Sequence, residues 1–203
     1  WFIEKISSIG NRLHNTTLLL SGISINFLMA SIISLLMVMN KESMDKIIFW
    51  TMGSMSSAKF SDLGIVLFFV LLGIVVIRIF AKELNILLTG SETARSLGVD
   101  VEKTKKLILF FSTLMIAVIV SYCGVIGFIG LIVPHIIRLL VGSDNRKIIP
   151  YSIFGGIIFT LIADILARTL ISPSELPIGS ITSIVGAPFF IFLLYNAKKK
   201  LNP

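Results

Sequence analysis

Charged side chains are scarce in this chain: Asp, Glu, Lys and Arg make up 14% of its 203 residues, where a water-soluble domain carries roughly a quarter. A soluble globule is thereby excluded. Cysteine is almost absent as well. The single Cys123 sits inside an apolar run, which excludes a disulfide framework and every multi-cysteine metal site. Six prolines and 15 glycines, set against 15 phenylalanines, do not describe a disordered or fibrous chain. Also missing are a Walker-type phosphate loop, an HExxH pair and a nucleophile motif. If the protein depends on ATP, another chain must hydrolyse it. What the chain has in abundance is apolar, with 55% hydrophobic residues and a mean hydropathy of +0.97. That is the composition of a protein crossing a membrane several times.

The net charge of +7 does not point to nucleic acid, because the basic residues lie between apolar runs and form no stripe beside stacking aromatics. The chain opens on Trp1 with no charged n-region and cleavage site behind it, so no signal peptide is expected. It is expected to start partway through a longer protein. A membrane helix needs about 20 mostly apolar residues, which gives spans at Thr16 to Met39, Asp62 to Phe80, Pro150 to Ile171 and Gly179 to Asn196. The uncharged run from Leu107 to Ile137 is too long for one crossing and is interrupted by Gly124, Gly127 and Gly130. It reads as two helices, Leu107 to Tyr122 and about Phe128 to Val141, six spans in all. The continuous apolar runs lack the alternation of barrel strands, so the fold class is all-α, a polytopic transmembrane helical bundle in a single domain over residues 1–203. The stretch from Lys41 to Ser61 reads as a short interfacial helix.

Lysine and arginine set the orientation. With the N-terminal stretch inside, 14 basic residues lie on the inner side, and only Lys41, Lys46, Lys59 and Arg168 on the outer. Both termini of this chain are therefore expected to be cytoplasmic, in a multi-pass protein of the cell membrane.

Several stretches have the residues for more than spanning. Within the inner loop of about residues 85–106, Ser91-Glu92-Thr93-Ala94-Arg95-Ser96-Leu97-Gly98 reads as a short helix. Ser91 is placed to cap it, Glu92 lies near its positive end, and Gly98 can stop it in the left-handed conformation. Such a helix offers a rigid knob to a partner, or it is a solvated connector whose charges enforce topology; the pattern alone leaves both open. Gly124, Gly127 and Gly130 allow close backbone approach, and Pro134 removes a backbone donor. His135 lacks a second ligand at useful spacing and reads as a satisfied interior side chain. Asp164 and Arg168, four apart, share a helix face and can pair, whereas a proton relay there is disfavoured by the adjacent cation. Pro177 and Gly179 end a rigid outer turn. Gly186-Ala187-Pro188 is expected to interrupt the last helix.

In this order the stretches resemble the FecCD-type permeases, membrane subunits of ATP-driven (ABC) importers for iron-siderophore, haem and cobalamin. The resemblance runs over Leu18-Leu19-Leu20-Ser21-Gly22-Ile23, Phe49-Trp50-Thr51-Met52-Gly53-Ser54 and Ala94-Arg95-Ser96-Leu97-Gly98-Val99. It continues through Gly127 to Arg138, Ala163-Asp164-Ile165-Leu166-Ala167-Arg168, Glu175-Leu176-Pro177-Ile178-Gly179 and Gly186-Ala187-Pro188-Phe189-Phe190. It implies that these six spans are the C-terminal portion of a permease with about ten. It also implies that Ser91, Glu92, Ala94, Arg95, Ser96, Leu97 and Gly98 form the segment that sits in a cleft of the ATPase. Asn15 and Thr16 would be a cytoplasmic gate, and Arg168 would dock a glutamate of the binding protein. Asp164 would then orient Arg168, while Gly127, Gly130, Pro134, Pro177, Gly179, Gly186 and Pro188 would serve packing.

The implied partners are a second copy of the permease or a paralogue, two ATP-binding cassette subunits, an extracytoplasmic binding protein and the bilayer. No cofactor or metal is expected on this chain, since ATP and its magnesium would sit on the partner ATPase, and no catalytic residue is expected either. An iron chelate is the default cargo. Two other readings stand beside this one: an ion-coupled secondary carrier using Asp164, which would need broken half-helices in repeat-related positions, and a non-transporting scaffold subunit.

Overall fold

The computed structural model describes residues 8–9, 12–13, 15–56, 58–171 and 174–201. The chain divides into two compact units, Trp1–Ile48 and Phe49–Pro203. In the first, a two-residue antiparallel ladder (Ser8–Ile9 with Arg12–Leu13) precedes the long helix α1, Asn15–Met39. Among its described residues α1 carries no charged side chain, and Ser24, Ser31 and Ser34 donate their hydroxyls to the carbonyls of Leu20, Phe27 and Ala30. Hydroxyls bonded within their own helix carry no unpaired donor into hydrocarbon. A turn of 3-10 helix, Lys41–Ser43, leads into the short helix α2, Met44–Met52, in the stretch that reads as an interfacial helix.

The second unit continues with α3 (Leu63–Ile79), α4 (Ala81–Leu87), α5 (Ser91–Ser96), α6 (Val101–Cys123), α7 (Ile129–Val141), α8 (Asn145–Thr169) and α9 (Ile178–Leu201). Helix α3 packs on α6, and α7 on α8, with α9 against both α7 and α8. The contacts are made where side chains are small. A Cβ on Gly73 would collide with the Met115 side chain, and one on Gly155 would come within 2.9 Å of Val133 Cγ1. Few of the described residues are buried, while Phe27, Phe68, Phe154 and Ile165 stand exposed. Apolar side chains exposed in this way suit an apolar neighbour, and helices in lipid hold together by close packing and hydrogen bonds instead of by water exclusion.

Among the described residues, four helices are long and apolar enough to cross a membrane: Leu19–Met39, Phe60–Ile79, Val101–Cys123 and Asn145–Thr169. The fourth and sixth expected spans are shorter apolar helices, Ile129–Val141 and Ile178–Leu193. At 1.5 Å per residue, the 13 residues of α7 reach only about 20 Å. Two boundaries and one interruption differ from expectation. Helix α6 starts six residues before Leu107 because the Asp100 carboxylate accepts from Lys103 N–H at 3.0 Å and caps it there; hydropathy marks only the apolar part of a helix that extends into water. Helix α8 starts at Asn145 instead of at Pro150, with Asp144 accepting from Arg146 N–H. Pro150 is the sixth residue of α8, past the first turn, so its missing N–H leaves the Arg146 carbonyl without its helical partner. Helix α9 runs through Gly186-Ala187-Pro188 without interruption.

Candidate functional site

The segment between α3 and α6 is polar and carries two short helices, α4 and α5, between two long apolar ones. Helix α5 is only six residues long, too short to stand alone, so its shape comes from its two ends. At the start Gly90, at φ +109°, accepts from Ala94 N–H. Ser91 therefore occupies the first helical position, one residue inside the cap expected of it, and no side chain caps α5. At the other end Gly98, at φ +83°, donates to Arg95 O, and Val99 N–H to Ala94 O, each at 3.0 Å. This pair of bonds is the Schellman closure, which needs the left-handed residue that glycine supplies. Ala94 is completely buried beneath α5, whereas Leu97 is 63% exposed at its tip. An apolar side chain held out on a doubly stopped helix is a rigid knob. Glu92 lies in the first turn, Ser96 Oγ returns to Thr93 O, and Arg95 pairs with Glu102 at 3.2 Å. That exposed ion pair is worth well under about 1 kcal/mol. Beside the knob lies a groove of about 390 Å³, lined by Phe80, Glu83, Ile86, Leu97, Asp100 and Thr104 among others.

A second group of bonds ties this segment to the start of α8. Asn85 Nδ2 donates to Asp144 Oδ1 at 2.6 Å, and Asn85 Oδ1 accepts from Asn145 N–H at 2.8 Å. Pro150 lacks the N–H that would reach back to Arg146 O, and the Arg78 guanidinium donates to that carbonyl instead. The Asn85 amide, followed by the Arg146 N–H, holds the Asp144 carboxyl below its ordinary value. None of these residues stands out in the sequence. The one visible signal is Asp144 immediately before a helix, an N-cap pattern hidden because Pro150 reads as the start.

At the opposite end of α8, Arg168 Nε donates to Asp164 Oδ2 at 3.0 Å and Arg168 Nη1 to Glu175 Oε1 at 3.3 Å. The expected helix-face pair is formed, and a second carboxylate joins it. These bonds occupy two of the five guanidinium donors, and the Arg168 side chain remains 44% exposed. Beneath it Ala163 and Ala167 of α8 pack on Ile178 and Ile181 of α9, with Leu176 N–H bonded to Ala167 O at 2.9 Å. Pro177 stands just before α9 and accepts from Ser180 N–H.

The glycines divide unevenly. Gly127 and Gly130 have nothing within 4 Å of the position a Cβ would take, so the close approach expected of them is not made among the described residues. Of the other glycines named from the sequence, Gly124 would set an added Cβ against Trp50 O, Gly179 against Met52 O and Gly186 against the Phe128 ring. Phe128 itself adopts the left-handed conformation at φ 66°, unusual for a bulky residue, with its ring set against the bare face of Gly186. Pro134 and Pro188 lie inside α7 and α9, and the His135 ring meets Phe189 edge to face at 6.3 Å. Asn15 and Thr16 have their backbone in the first turn of α1, and their side chains lie outside the described residues.

The chain matches the model of the FecCD transport family over residues 2–196. It is 42% identical over 192 residues to the cobalamin import system permease protein BtuC of Halobacterium salinarum, covering 95% of this chain and 52% of that protein. The hemin transport system permease protein HmuU of Yersinia pestis is 38% identical, over 90% of this chain and 55% of the relative. For the Fe(3+) dicitrate transport system permease protein FecD of Escherichia coli the figures are 34%, 89% and 57%. A protein assigned to the metal-chelate type of ABC transporter, solved in an inward-facing conformation, superposes with a TM-score of 0.83 at 32% identity, over 90% of this chain and 59% of that one. The chain thus spans about half the length of the curated relatives it matches. With the resemblance read in the motifs and the match covering nearly every residue, this chain belongs to the FecCD transport family.

Proposed function

We propose that this chain is permease sequence from an ATP-driven importer of metal chelates, with an iron chelate as cargo. The observation that carries the reading is the doubly stopped helix α5, with Leu97 held out at its tip, in a chain of this family. On this reading the Ser91–Gly98 knob sits in a cleft of an ATP-binding cassette subunit on the cytoplasmic side. ATP and magnesium are bound and turned over by two such subunits. Closure of the pair pushes the knob and tilts the attached helices, a rigid-body switch biased by ATP. Asn15 and Thr16 form an inner gate against a second copy or a paralogue. Arg168, oriented by Asp164, offers its remaining donors to a carboxylate of an extracytoplasmic binding protein. Both termini of this chain face the cytoplasm.

Relatives named for cobalamin, hemin and Fe(3+) dicitrate share one cargo chemistry, a metal held in an organic chelator. Ion-coupled transport through Asp164 is disfavoured, because that carboxylate is committed to Arg168. Reconstitution with the ATPase and binding protein in proteoliposomes tests the proposal. Uptake of a ferric chelate should require ATP. Uptake that persists without ATP and collapses with the ion gradient would overturn it.

A further inference from the structure

Motion delivered to helix α5 has two physical routes out. One is covalent: α5 continues through Gly98 and Asp100 into α6, which packs on α3. The other passes through α4 into α8, and α8 is the helix on which α7 and α9 both pack. At that second route the contact is directional and polar. Asn85 uses both ends of its amide at once, donating to Asp144 Oδ1 and accepting from Asn145 N–H. A backbone N–H can only donate, so this arrangement admits one orientation of the amide. Asp144 is itself locked, since its carboxylate also caps α8 through Arg146 N–H. Arg78, at the end of α3 just before α4, adds a third link by donating to the carbonyl that Pro150 leaves open. Three bonds converging on three consecutive residues, Asp144 to Arg146, fix the α3–α4 corner to the start of α8 in direction as well as in distance.

We propose that Asn85, Asp144 and Arg78 form the joint that transmits displacement of the α5 knob to the α7–α8–α9 group, which makes them positioning residues for transport. The proposal rests on the reading of α5 as the ATPase contact. Without the joint the knob would still be pushed, but α8 would no longer follow, and ATP would be hydrolysed without uptake.

The test exploits the chemistry of the pair. Asn85→Asp keeps the acceptor for Asn145 N–H, removes the donor, and sets two carboxylates against each other. The exchange Asn85→Asp with Asp144→Asn restores a donor facing an acceptor, and an Asn at 144 can still cap α8. In the transporter assembled in proteoliposomes, Asn85→Asp should lower uptake per ATP hydrolysed on the order of tenfold. ATPase subunits should remain bound at the normal ratio, and the exchange should recover most of the loss. Normal uptake per ATP in Asn85→Asp, or an assembled exchange variant that stays uncoupled, would overturn the proposal. Single variants that fail to assemble would reduce the pair to a folding contact and would overturn it equally. Leu97→Asp, measured alongside, separates the two ideas. If it uncouples while Asn85→Asp does not, the joint alone is wrong. If neither uncouples, the α5 reading has failed.

Discussion

The two ends of α8 are about 36 Å apart at 1.5 Å per residue, and they are built on opposite principles. At the Asp144 end the bonds join residues 59 to 68 positions apart, Asn85 to Asp144 and Arg78 to Arg146. At the Arg168 end the partners are four and seven positions away, Asp164 and Glu175. Long-range bonds restrict how elements move relative to one another. Local bonds hold one side chain in place and leave the elements alone. The first end is therefore suited to passing on displacement, and the second to presenting a prepared charge to something outside the chain.

The comparison can be broken most severely at the knob. Leu97 is exposed, so Leu97→Asp removes an apolar surface without opening a core. Uptake in the reconstituted transporter is expected to fall by at least about tenfold, while helical content and detergent-phase melting stay near those of the parent. Retained uptake would leave the Asp144 end without a source of motion. A smaller effect, on stability, is expected at Gly186. A leucine there must displace the Phe128 ring, and overpacking of this kind costs about 1–3 kcal/mol. The melting temperature in detergent reads it, and an unchanged value would mean that the Phe128 conformation does not depend on that contact.

At the Arg168 end, Arg168→Glu places three carboxylates together and removes the presented cation. Affinity for the binding protein, measured on the purified transporter, should weaken by about tenfold and lose part of its salt dependence. Identical affinity would show the cluster to be purely structural. The smallest effect concerns acid. Asp144 has its carboxyl held low in the folded state, so its contribution is present at neutral pH. That contribution declines as pH falls from the ordinary aspartate value near 4 through the lower folded one. Melting measured from pH 7 down to pH 3 should therefore drop more steeply for the parent than for Asp144→Asn. Parallel curves would show that the Asn85 contact does not depend on the charge.

Hydropathy reports the apolar middle of each helix well, because lipid selects composition over some 20 residues. It does not report where α6 and α8 begin, because Lys103 and Arg146 are helical yet lie outside the apolar stretch. The Gly98 stop is legible, since a left-handed residue leaves a local mark. The cap expected at Ser91 falls one position away, because a glycine N-cap leaves no comparable mark. The glycine repeat points to the right turn, but which of its members meets a neighbour depends on the backbone that lies opposite, here Trp50 for Gly124. The Asn85–Asp144 bond is invisible for the same reason: nothing near either residue announces a partner some 60 positions away.

Everything proposed for transport depends on one contact, between the exposed tip of α5 and a nucleotide-driven partner inside the cell. A thiol at Leu97→Cys, with Cys123 and every cysteine of the remaining transporter sequence replaced by serine, tests it in intact cells and in the purified assembly. The thiol should resist an impermeant maleimide from outside and should cross-link to the ATPase subunit with a yield that changes on ATP binding. Labelling from the outside, with no cross-link under any nucleotide condition, would contradict the account.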